Sequence, residues 1–121
     1  MSLRILVADD SRLARTLVKN ALVDAGFDVV GEAATGREAA EMYFRLRPDV
    51  LTLDVIMPDV DGTSAAREIL GREPAARIIM VTSLNQEAIE SEMKKAGVRS
   101  IITKPFEPKV LVDSIQAAMT A

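Results

Sequence analysis

The 121-residue sequence has no cysteine, no histidine and no tryptophan, and aromatic residues make up only 3% of it. Without Cys there is no thiol nucleophile, no disulfide and no thiolate ligand. Without His there is no imidazole general base and no ordinary zinc site. The lack of Cys fits a reducing compartment. The chain also lacks any apolar stretch of about 18 residues and any charged start followed by a long apolar core, so no membrane span or leader is expected and the expected location is cytoplasmic. Lys and Arg are scattered rather than gathered into a run, and the formal charge is -3. That disfavours nucleic acid as a direct partner, because a phosphate-tracking groove needs clustered basic residues.

What is present is a balanced globular composition, 49% apolar and 27% charged. That is enough to fill the core of one domain of this length, and the whole of 1–121 reads as that domain. Two periods alternate along it. Short apolar runs at Leu3–Ala8, Phe27–Ala33, Asp49–Leu53, Arg77–Val81 and Ser100–Thr103 read as strands. Between and after them, apolar residues recur at helical spacing: Leu13, Ala14, Leu17, Val18, Ala21 and Leu22; Ala39, Met42, Tyr43 and Leu46; Ala66, Ile69 and Leu70; Ile89, Met93 and Ala96; Leu111, Ile115 and Met119. Thr35-Gly36-Arg37-Glu38 has the form of a capping box, Ser83-Leu84-Asn85-Gln86 can cap the fourth helix, and Gly26, Pro48, Pro74 and Gly97 act as stops. Five strand-then-helix units with short connections imply a parallel sheet covered by helices on both faces.

The polar residues fall where such a sheet puts its ligands. Asp9 and Asp10 follow the first strand, Asp54 the third, Thr82 the fourth and Lys104 the fifth. In an open parallel sheet all strand C-termini share one edge, and ligands bind there at the switch point of the strand order. Three carboxylates brought together repel, at about 4 kcal/mol for a pair ~4 Å apart and an effective dielectric of about 20. The cluster must therefore take up protons or a cation. An open, all-oxygen site suits Mg²⁺. A carboxylate can also attack phosphorus to form an aspartyl-phosphate, with the cation and Lys104 neutralising the oxygens of the phosphoryl group and Thr82 donating to one of them. Singly, each residue has an ordinary reading: Asp9 or Asp10 as a helix cap in competition with Ser11, Asp54 as a turn residue, Thr82 as a strand-end threonine, Lys104 as a solvated lysine. Their joint placement at successive strand ends favours the site.

The runs Val7-Ala8-Asp9-Asp10-Ser11, Leu53-Asp54-Val55-Ile56-Met57-Pro58, Asp61-Gly62, Val81-Thr82-Ser83 and Lys104-Pro105-Phe106 resemble, in order and spacing, the receiver domain of bacterial response regulators over the whole chain. The resemblance implies a doubly wound, flavodoxin-like (βα)5 sandwich with five parallel strands ordered 2-1-3-4-5. It implies a CheY-like switch of two-component signalling: Asp54 accepts a phosphoryl group from a sensor histidine kinase or phosphotransfer protein, or slowly from a small donor. Such a domain promotes its own phosphorylation and slow dephosphorylation without being an enzyme that acts on a separate substrate. Asp10, Asp54 and the Met57 backbone carbonyl would hold Mg²⁺, with Asp9 acting largely through water. Lys104, preceding a cis peptide bond, would pair with the phosphoryl group. Thr82 would couple it to the face made by helix four, strand five and helix five, where a downstream protein docks. A stand-alone chemotaxis-type regulator is slightly favoured over a receiver cut from a longer protein.

Two departures from the family pattern stand out. Ile101 occupies the switch position that is usually Tyr or Phe, three residues before the lysine. Ile56 and Leu84 occupy loop positions that are often polar and that flank the path of an attacking water, so slow loss of the phosphoryl group is expected. Three competitors fare worse. A haloacid-dehalogenase-type phosphatase needs a second acid two residues after its nucleophile, where Ile56 stands. A flavin or nucleotide module needs a Gly-rich cradle, where Asp9-Asp10-Ser11 stands. A pseudo-receiver would not retain the acidic pair, the acceptor and the lysine together. Met42, Met80, Met93 and Met119 read as core fillers. Glu87, Glu90, Glu92, Lys94 and Lys95 read equally as a solvated face of helix four or as a docking surface.

Overall fold

In a computed structural model describing residues 2–83 and 86–120, five strands alternate with five helices among those residues. They are β1 (Arg4–Ala8), α1 (Arg12–Asp24), β2 (Asp28–Ala33), α2 (Gly36–Leu46), β3 (Val50–Leu53), α3 (Gly62–Arg72), β4 (Ile78–Thr82), α4 (Glu87–Ala96), β5 (Ser100–Thr103) and α5 (Pro108–Thr120). All strand pairs are parallel and the order is β2-β1-β3-β4-β5, the expected doubly wound arrangement. Register runs Ala8 to Leu53, Leu53 to Met80 and Thr82 to Thr103, which brings the C-terminal ends of β1, β3, β4 and β5 to a common edge.

Successive strand side chains point to opposite faces, and that parity divides the core in two. Leu6, Ala8, Leu51, Leu53, Ile78 and Met80 face one layer, where they meet Ala39, Ala40 and Tyr43 of α2, Ala66 and Ile69 of α3 and Met93 of α4. Ile5, Val7, Val50, Ile79, Val81 and Ile102 face the other, where they meet Val18, Ala21 and Leu22 of α1 and Leu111, Ile115 and Ala118 of α5. Strands that are apolar on both faces therefore read as continuous hydrophobic runs.

Local signals set the helix ends. Ser11 caps α1, its Oγ accepting from the Ala14 N–H at 3.2 Å. The Thr35 Oγ1 accepts from Glu38 N–H at 3.1 Å, while the Glu38 carboxylate reaches back to the Ala34 N–H at 3.0 Å, completing the capping box one residue earlier than the usual partner. Asp61 caps α3 through Ser64 N–H at 2.9 Å. Gly26 and Gly97, past the ends of α1 and α4, take φ of 88° and 115°, the left-handed region that a Cβ disfavours.

Several expectations need correction. The α1 stripe is only partly inside: Leu13 and Leu17 are 70% and 57% exposed, whereas Val18, Ala21 and Leu22 are buried against the second layer. Leu17 instead lines an open apolar groove with Ala14, Pro105, Phe106 and Pro108. Thr82 is the last residue of β4 rather than a residue beyond it. Helix α4 begins at Glu87 after Gln86, which makes no side-chain cap bond; Leu84 and Asn85 of the expected cap lie outside the described residues. Of the four methionines read as core, Met80 and Met93 are fully buried, whereas Met42 and Met119 pack at its margins.

Candidate active site

The acidic pair sits where β1 gives way to α1. Because Ser11 takes the capping role, neither Asp9 nor Asp10 is spent on it. Asp9 is buried, at 3% exposure, and each of its polar atoms is engaged. Its N–H donates to the Ala33 carbonyl of β2 at 3.0 Å and its carbonyl accepts from Arg15 Nη1 at 2.8 Å. Its Oδ1 accepts from Ser11 N–H at 2.9 Å and its Oδ2 accepts from Lys104 Nζ at 2.5 Å. Asp10 lies beside it and is exposed.

Asp54 follows β3, with its N–H donating to the Ala8 carbonyl at 3.0 Å, so the neighbouring strand places it next to the acidic pair. It is 7% exposed. Its Oδ1 accepts from Val55 N–H at 2.8 Å, its Oδ2 lies 3.6 Å from Lys104 Nζ, and the Thr82 hydroxyl also bonds it. Lys104 is delivered by the end of β5, its backbone N–H donating to the Thr82 carbonyl at 2.8 Å, and the Lys104–Pro105 peptide bond is cis. The loop after Asp54 is packed from below by Gly62, whose N–H donates to the Val55 carbonyl at 2.7 Å. A Cβ at Gly62 would overlap the Asp54 carbonyl oxygen, so this approach requires glycine.

Carboxylate oxygens of Asp9, Asp10 and Asp54 all lie within 4.8 Å of one another. Burial pushes the Asp54 carboxyl above its ordinary value of 3.8; the Asp9 charge adds to this, while Lys104, the Val55 N–H and Thr82 oppose it. Removing an anion from water disfavours its charged form, and one ammonium shared between two carboxylates does not restore it. The donor set is therefore oxygen-only, crowded and short of positive charge, which is what a hard divalent cation relieves.

The strand edge thus brings together Asp9, Asp10, Asp54, Thr82 and Lys104, as the sequence implied. Met57 follows in the loop with its side chain buried, and Ile56 on the same loop is 53% exposed. Ile101 lies within β5, paired with Met80 and half-buried, outside the carboxylate cluster. Leu84, the second residue read as flanking a water path, lies outside the described residues. Sequence reasoning missed Arg15. Its position one turn beyond the Ser11 cap was a helical spacing signal, but nothing in the sequence aims a guanidinium at the Asp9 carbonyl.

Comparison with known proteins agrees with this geometry. The family model described as response regulator receiver domain matches residues 5–116. The chain is 40% identical over 115 residues to the chemotaxis protein CheY of Thermotoga maritima, covering 95% of this chain and 96% of that one. In structure it is similar to the response regulator domain of Thermotoga maritima CheB, with a TM-score of 0.93, 35% identity and coverage of 100% of this chain and 98% of that one. It is also similar to a chain of the CheX–CheY–BeF3–Mg complex from Borrelia burgdorferi, with a TM-score of 0.93, 26% identity and coverage of 97% and 89%.

Proposed function

On the premise that this chain belongs to the response regulator receiver domain family, and so is a phosphorylation-activated switch of two-component signalling, we propose that Asp54 is the acceptor and that residues 1–121 act as one receiver unit. The observation that carries this reading is the buried Asp54 carboxylate, within 4.8 Å of two further carboxylates and 3.6 Å from the Lys104 ammonium. In the transfer, an Asp54 carboxylate oxygen attacks the phosphorus of a phosphohistidine. The P–N bond to the imidazole breaks as the P–O bond to Asp54 forms, and the donor nitrogen leaves with its electron pair and takes up a proton.

The residues fit Mg²⁺. Asp10, Asp54 and the Met57 carbonyl would hold it, and Asp9 would act through water, since both its carboxylate oxygens already have partners. When bound, Mg²⁺ supplies positive charge to the phosphoryl oxygens. Phosphorylation replaces the Asp54 anion by a bulkier, more highly charged group. Lys104, already between Asp9 and Asp54, moves its pairing to that group, and the Thr82 hydroxyl donates to it. Because Lys104 and Thr82 are joined through their backbones, this exchange reaches β5. The phosphoryl group need only favour one of two arrangements for the surface to switch.

The partners are a histidine kinase or phosphotransfer protein upstream and a protein target on the α4–β5–α5 face. A cleft of about 570 Å³ there is lined by Lys94, Arg99, Ile101, Phe106, Glu107 and Val110, a mixed polar and apolar surface of the kind a protein target can cover. Ile101 stands in that cleft without an aromatic ring, so the readout runs through β5 and the α4 approach rather than through a rotating ring. Ile56 cannot orient water, so the acyl phosphate lasts. The module transfers the phosphoryl group to itself, once per chain, in the cytoplasm.

The test is incubation with Mg²⁺ and acetyl phosphate, read by intact mass. One phosphoryl group per chain is expected, dependent on Mg²⁺ and absent from Asp54→Asn. Release of many phosphate molecules per chain from a phosphoester would favour a phosphatase instead. Lys104→Ala should still bind Mg²⁺ but show no change on the α4–β5–α5 face after phosphorylation; an unaltered response would remove Lys104 from the switch.

A further inference from the structure

We propose that Arg15 is a positioning residue for the divalent-cation site, acting through the peptide unit that joins Asp9 to Asp10 and itself aimed by Glu32. Arg15 Nη1 donates to the Asp9 carbonyl at 2.8 Å. That carbonyl belongs to the same planar unit as the Asp10 N–H, so holding the oxygen sets the direction in which the Asp10 backbone, and with it the exposed Asp10 carboxylate, leaves the sheet. Asp9 is fixed by its own side chain and by β2, whereas the carboxylate of Asp10 depends on its backbone for direction. The guanidinium side chain is 17% exposed, and its Nε lies 3.3 Å from Glu32 Oε1 on β2. The other Glu32 oxygen is 3.5 Å from Lys19 Nζ, one turn further along α1. Glu32 is thus gripped from two points of α1, and one of those points reaches the acidic loop. A planar guanidinium can bond the carboxylate and the carbonyl at once, which a lysine ammonium on a flexible stem does less well. Partners outside the direct ligands commonly set metal affinity in this way.

This inference rests on reading Asp9, Asp10 and Asp54 as the cation site, and its test separates the two. Titration calorimetry with Mg²⁺ alone is run on the wild type, Arg15→Met, Arg15→Lys and Glu32→Gln, with metal-free melting curves for each. A simple charge argument says that removing a cation near an acidic cluster tightens Mg²⁺ binding. Positioning says the opposite: Arg15→Met weakens it by about 10-fold, Arg15→Lys recovers part of the loss, and Glu32→Gln weakens it by a smaller factor. Acetyl phosphate labelling of Arg15→Met then returns as Mg²⁺ is raised, because affinity is what was lost. Equal or tighter Mg²⁺ binding by Arg15→Met, or a lowered melting temperature with unchanged affinity in both Arg15→Met and Glu32→Gln, overturns the role of Arg15. No Mg²⁺ uptake by the wild type overturns the site itself.

Discussion

Replacing Asp54, the proposed acceptor, should make the metal-free protein more stable. In Asp54→Asn the side chain keeps its shape and its single amide oxygen can still accept from the Val55 N–H, but it loses its charge. Two repulsions disappear, from Asp9 and Asp10, whose oxygens lie within 4.8 Å; the Asp9 one is about 3.5 kcal/mol at an effective dielectric of about 20, and that of exposed Asp10 is smaller. One attraction also disappears, to Lys104 at 3.6 Å, which is about 4–5 kcal/mol on the same scale. Lys104 keeps its shorter bond to Asp9. These terms largely offset, leaving the relief of burying a neutral amide in place of an anion. A net gain of about 1–2 kcal/mol follows, the size typical when a functional charge cluster is relaxed. At this chain length that raises the melting temperature by about 4 °C per kcal/mol. The assay is calorimetric melting in chelator at pH 7 and again near pH 4. Burial raises the folded-state pKa of Asp54, so the wild type carries no penalty below the ordinary carboxylate value of 3.8 and loses stability as pH climbs through the raised value. The advantage of the Asn variant should therefore be present at pH 7 and shrink in acid. An Asn variant no more stable than the wild type at pH 7, or an advantage independent of pH, would refute the view of an under-compensated anionic cluster. Adding Mg²⁺ should reverse the order, since the wild type then gains by mass action what the variant cannot.

Two further outcomes are expected. Ile56→Asn should hasten hydrolysis of the Asp54 acyl phosphate, by up to about 10²-fold where the new amide orients water; this is followed by the decay of the phosphorylated mass, and an unchanged decay would mean that Ile56 does not govern water access. Gly62→Ala should destabilise the fold by about 1–3 kcal/mol through overlap with the Asp54 backbone, whereas Gly71→Ala, in the same helix with nothing within 4 Å of the added carbon, should stabilise it by up to about 1 kcal/mol. Denaturant melts of the two variants give opposite signs if the close approach at Gly62 is real.

The fold was legible from the sequence because strands buried on both faces appear as unbroken apolar runs and amphipathic helices as 3.6-residue stripes. Capping chemistry was legible too, in Thr35 with Glu38. The stripe misled at Leu13 and Leu17: periodicity shows which side of a helix is apolar but not how far its neighbours reach to cover it.

Chain order alone placed Asp9, Asp10, Asp54, Thr82 and Lys104 at one edge, since a parallel sheet forces every strand C-terminus to the same side. It could not say which of them would share a partner. Lys104 bonds Asp9 more closely than Asp54, Ser11 rather than either Asp caps α1, and Arg15 seizes a carbonyl six residues behind it. Those choices depend on distances across four strands and between two layers, and such distances exist only once the chain has folded.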